Sequence, residues 1–270
     1  MLNASWFKVL TFFGVWAAVW LPIAFLVSRF IDWQPSKIMT TQQKLVLLAS
    51  LYILLPVVIG WKIKVESLSF ATLGLSALSK TVEYILLGLT LSLVSLIVVF
   101  GLETAFKLIS WHQQNMPRLI PLFFPILGLS LLISLVEEIV FRGYVFSTLS
   151  IDNSSWIAAT ISSTIFALLH LIWERKQTLP QIPGLWLMGM VLVAARVLGN
   201  GSIYLALGLH AGWICGLTCI DSAELITYSD QSHWFTGINQ QPLAGIAGIF
   251  CLAITGIAIW GIIDNGLFWF

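Results

Sequence analysis

Charge is what this chain has least of. Of its 270 residues, 13 are Lys or Arg and 12 are Asp or Glu, 9% in all, against about a quarter in an ordinary soluble domain. So sparse a charged surface excludes a protein dispersed in water, and so apolar a chain excludes a disordered tail. With a net charge of +1 there is no field to gather nucleic acid, which is excluded as a partner. Cysteine is scarce too. Cys215, Cys219 and Cys251 all lie in apolar stretches, an odd set with neither a disulfide framework nor a CxxC pair for zinc.

What the chain has is hydrophobic length. Apolar residues make up 59% of it, and a helix needs about 20 of them to cross a bilayer. The long runs predict helices over about 6–30, 43–61, 83–107, up to 147, 155–173, 184–199, 201–220 and 243–263. The expected fold is all-α: a polytopic membrane protein of about eight transmembrane helices, forming a single integral-membrane domain over 1–270. It is expected to lie multi-pass in a lipid bilayer, the plasma membrane or an internal membrane such as the thylakoid. Trp6, Trp33, Trp61, Trp111, Trp156, Trp173, Trp234 and Trp269 fall near helix ends, as an aromatic belt does. The segment 62–81 mixes charge with spaced Leu and Phe and reads as interfacial or re-entrant, while 221–242 is the longest polar loop. Counting cations by face sets Lys8, Lys62, Lys64 and Lys80 against Arg29, Lys37, Lys44, Lys107, Arg118, Arg175 and Lys176, and so favours the second face as cytoplasmic.

The informative charges are those inside apolar runs. LSLLISLVEEIVFRGYVFSTLS embeds Glu137, Glu138 and Arg142, each costing about 2.5–3.5 kcal/mol at the bilayer centre. Glu138 and Arg142 are four residues apart and form an i,i+4 pair in the favourable order. Glu137, five from Arg142, would point about 140° away on an α-helix. That leaves it for a neighbouring helix, as a general base requires. His170, one turn after Phe166, and His210, between Gly208 and Gly212, lie at similar depths and complete an intramembrane polar site. Gly208 and Gly212 let a partner helix approach closely. His112 and His233 read as solvated. Glu103 is expected to snorkel or to pair with Lys107, Arg196 to snorkel, and Gly143 to permit close packing.

These residues carry a resemblance. EEIVFRG at 137–143 is similar to the EExxxR motif of the CPBP family, the CAAX-protease and bacteriocin-processing membrane proteins also called Abi. FALLH at 166–170 matches its FxxxH motif, and His210 begins its third, normally HxxxN. The resemblance spans a CAAX-protease/Abi-like catalytic core over 120–263. It implies an intramembrane endopeptidase resembling type II CAAX-processing proteases, acting on a membrane-associated protein or peptide. In these roles Glu137 is general base, His170 positions the water, His210 donates to the oxyanion, and Glu138 with Arg142 gives structural support. Ile214 stands where the family has Asn and donates nothing; Thr218, one turn on, is the candidate oxyanion substitute. No cofactor is expected. The alternative is a divalent metal such as zinc on Glu137, Glu138, His170 and His210. The competing function, favoured by Ile214, is a non-catalytic membrane scaffold or bacteriocin-immunity-type binding protein.

Overall fold

In hydrocarbon every backbone N–H and C=O must be satisfied within the chain, and a helix does this locally. The apolar runs accordingly form helices. A computed structural model describes residues 4–33, 39–76, 79–229 and 233–264; Lys37 and Trp269 fall outside them, as does the side chain of His233. Helix α1 covers Ser5–Phe30, α2 Thr41–Tyr52, α3 Leu55–Glu66 and α4 Thr81–Ala105. Helix α5, Leu119–Glu137, continues as a π-helix over Glu138–Phe146. Then come α6 (Ser155–Leu169), α7 (Leu171–Thr178), α8 (Ile182–Leu198), α9 (Tyr204–Ser222) and α10 (Ile246–Asp264). Among the described residues seven helical stretches are long and apolar enough to cross a membrane, and Ile246–Gly261 is a shorter apolar helix. The fold is all-α and polytopic.

Two runs that read as single helices are broken. The second divides at Ile53–Leu54 into α2 and α3, with Pro56 in the first turn of α3, where its missing N–H costs nothing. The fifth divides at His170, which caps α6. Both breaks leave a polar ring at a helix end inside the bundle.

Helices α4 and α9 cross in close contact because glycines stand at the crossing. A Cβ on Gly208 would meet the Ile85 carbonyl and the Cα of Gly88, and one on Gly212 would meet Ser92 Oγ. This is the close approach expected of Gly208 and Gly212.

The segment between α3 and α4 docks into the bundle. Leu73 is buried, the Thr72 carbonyl accepts from Ser147 Oγ at 3.0 Å and from Arg196 Nη2 at 2.9 Å, and the Gly74 carbonyl accepts from the Ile203 amide. Arg196 therefore does not snorkel. It is buried, and also donates from Nε to the Gly201 carbonyl and from Nη1 to the Gly143 carbonyl. Gly143 permits close packing as expected: a Cβ there would lie 3.0 Å from the Leu73 carbonyl oxygen. Lys62 does not face solvent either. It is buried, donating to Glu66 (2.6 Å), Thr11 Oγ1 (3.1 Å) and the Lys8 carbonyl (3.3 Å), and Tyr144 donates to the same Glu66 oxygen.

The polar segment after α9 holds a strand that its sequence does not announce. β2 (Ile226–Tyr228) pairs antiparallel with β1 (Ile109–Trp111), Ile109 opposite Tyr228. Three residues are too few to display an alternating period. His112 is held at this sheet by Thr227 Oγ1, 2.7 Å from its Nε2 in an exposed contact. Glu103 departs from both expectations: it is buried, with Oε2 lacking a hydrogen-bond partner, while Lys107 is exposed. Burial, with the charges of Glu103 and Asp221 nearby, pushes the Tyr228 phenol pKa up.

Candidate active site

The site is built where α5 widens. Bonds of the i→i+5 type in the π-helix enlarge the turn, a distortion that recurs at functional positions. The α-helical angle of about 140° between Glu137 and Arg142 therefore does not apply across Glu138–Phe146. The i,i+4 pair survives the widening. Arg142 Nη1 donates to Glu138 Oε1 at 3.0 Å, with both side chains excluded from solvent. Arg142 Nη2 lies 3.4 Å from the Gly189 carbonyl, and the guanidinium stacks 4.5 Å from the centre of the Phe166 ring. These contacts offset the desolvation that an unpaired buried cation would suffer.

Glu138 Oε1 also accepts from His210 Nδ1 at 2.8 Å. A carboxylate only accepts, so this nitrogen carries the proton, and Nε2 of His210 faces Glu137, 3.7 Å from its Oε2. The other Glu137 oxygen, Oε1, accepts from the Tyr52 hydroxyl at 2.5 Å. Glu137 Oε2 has no hydrogen-bond partner among the described residues. His170 Nδ1 lies 2.8 Å from the Phe166 carbonyl, which can only accept. The proton is thus on Nδ1, and the lone pair of neutral His170 is on Nε2.

Glu137, His170 and His210, together with Tyr52, line one cavity of about 560 Å³. The rest of its wall is largely apolar, drawn from Phe13, Trp16, Leu51, Met188, Ile214 and Leu252 among others. A space with a few convergent polar groups in apolar walls suits a small or extended ligand. Water can donate one hydrogen to a carboxylate oxygen and the other to an imidazole nitrogen, which turns its lone pair outward, and Glu137 and His170 supply one such group each to this cavity.

The predicted residues divide accordingly. Glu137, His170 and His210 share the cavity, while Glu138 and Arg142 lie behind it. Thr218 is not among the residues lining it. It is eight residues from His210, about 12 Å along the helix axis. Ile214 faces the cavity in its place. Among the described residues no group of three or more His, Cys, Asp or Glu side chains is placed to hold a metal ion. Glu138 Oε1 is engaged by Arg142 and His210, and both Nδ1 atoms are turned to other acceptors.

Two participants are missed by reading the sequence. Tyr52 lies 85 residues from Glu137; its signal is a phenol in an apolar run, whose hydroxyl needs a partner when buried. Phe166 is more than a motif marker. Its fully buried ring stacks on Arg142 and meets His170 and His210 edge-on, with centroids 4.6 and 5.9 Å away.

Residues 119–215 match the family model described as type II CAAX prenyl endopeptidase Rce1-like. That stretch contains Glu137, Glu138, Arg142, Phe166, His170, His210 and Ile214, so the resemblance read from the three motifs is shown over the part of the chain that holds them. No curated protein and no solved structure matches the chain.

Proposed function

We propose, taking the Rce1-like segment as premise, that this chain is an intramembrane endopeptidase that cleaves a membrane-associated protein or peptide by Glu/His-activated water. At family level the match supports a CAAX-type membrane protease; the residue roles are our own reading. Water donates one hydrogen to Glu137 Oε2 and the other to His170 Nε2, which leaves its lone pair directed at the scissile carbonyl. Glu137 takes the proton as the C–O bond forms, and then returns it to the leaving amine as the C–N bond breaks. Protonated on both nitrogens, His210 donates from Nδ1 to Glu138 and from Nε2 to the oxyanion. Glu138 and Arg142 hold His210 and the widened helix in register. The mechanism is metal-free, and the water and the carbonyl are handled by these side chains alone.

The observation that carries this reading is that Glu137, whose Oε2 has no hydrogen-bond partner among the described residues, lines the same cavity as His170 and His210. The test uses an internally quenched, prenylated CAAX-type peptide in lipid–detergent micelles. Glu137→Gln and His170→Ala are expected to lower turnover by about 10²–10⁴-fold, with the melting temperature of wild type. Activity should survive a chelator. Wild-type cleavage by both variants would overturn the hydrolytic reading, and chelator-sensitive cleavage its metal-free form.

Ile214 favours a second reading. Without the Asn of the third motif the chain would be a membrane scaffold or bacteriocin-immunity-type binding protein. In a host lacking the protein, full complementation by Glu137→Gln would carry that reading, and failure to complement the first.

A further inference from the structure

A carboxylate has two equivalent oxygens, and a general base must present one of them to water reproducibly. The terminal torsion of Glu is broad and roughly two-fold, so an isolated side chain does not choose. In this site the choice is made from outside the matched segment. Tyr52 is the last residue of α2 and donates to Glu137 Oε1, while Oε2, 3.7 Å from His210 Nε2, has no hydrogen-bond partner among the described residues. The helix end that carries it is anchored. Carbonyls in a final turn lack intrahelical donors, and here the Leu51 carbonyl accepts from Trp16 Nε1 at 3.1 Å while Trp20 Nε1 donates to Ser50 Oγ at 3.0 Å. The chain then breaks at Ile53–Leu54, and Tyr52 lines the cavity beside Glu137.

We infer that Tyr52 is a positioning residue for Glu137: its hydroxyl occupies one carboxylate oxygen and so assigns the other to the water. The inference rests on Glu137 being the base. It makes the site composite, because α2 lies outside residues 119–215. An orienting contact that acts on the reacting geometry lowers kcat and kcat/KM together and leaves KM alone.

Tyr52→Phe in the full chain removes the donor and keeps the ring. With the same quenched prenylated peptide it should lower kcat by about ten- to a hundredfold, the range for a hydrogen bond to a charged group. KM and the melting temperature should stay at wild-type values. Leu48→Ala, which trims the cavity wall on the same helix and keeps the Tyr52 donor, should change KM instead. If Tyr52→Phe turns over like wild type while Glu137→Gln is inactive, the positioning role is wrong and the hydrolytic reading stands. If Glu137→Gln is itself active, the hydrolytic reading fails first. Should Tyr52→Phe not fold, fluorotyrosines of graded acidity placed at position 52 keep the ring and the donor. Their kcat must then vary with donor acidity, and a flat series overturns the proposal.

Discussion

At the scale of single residues, Glu138 is a buried carboxylate held from two helices. One of its oxygens takes a hydrogen bond from Arg142 and another from His210. Removing Arg142 would leave a carboxylate in a dry site with one imidazole for company. Arg142→Met should therefore destabilise the fold by about 3–5 kcal/mol, read as a lower denaturation midpoint in detergent. The Glu138–Arg142 pair is legible in the sequence because both partners lie on one turn and only spacing is needed. Tyr52 and Arg196 are not, because their partners are 85 residues away or are backbone carbonyls with no sequence signature. In an apolar run a polar residue announces that a partner exists without saying which.

At the scale of helices, the crossing of α4 and α9 fixes the position of His210. Glycines at 88, 208 and 212 let the two backbones meet. Gly208→Val should cost about 1–3 kcal/mol by overpacking, and should lower cleavage as well, since His210 is two residues along. Gly128→Val is the control, because a Cβ at Gly128 meets nothing within 4 Å; thermal melts and peptide release on both variants decide it. Helix number and order were legible from apolar runs, and the Gly208–Gly212 contact from small-residue spacing. The breaks at Ile53 and His170 and the π-helix were not. Average hydrophobicity does not change when a turn gains a residue or ends one early.

At the scale of the whole molecule, the first three helices are more than membrane filling. Tyr52 reaches Glu137, Glu66 accepts from Tyr144, and Phe12 packs on the Tyr144 ring at 4.6 Å between centroids. Residues 79–264, expressed without the first three helices, are therefore expected to release no fluorescence from the quenched peptide, although they contain the whole matched segment. Wild-type cleavage by that piece would show the N-terminal helices to be dispensable. The widened turn has a consequence for how such a chain can diverge. The Phe141 carbonyl accepts from Ser162 and the Gly143 carbonyl from Arg196, so two neighbouring helices grip the π-helix at positions counted from Glu138. A residue gained or lost between 138 and 141 would shift the acidic pair past both grips at once. Residues there can be exchanged one for another, but their number is fixed.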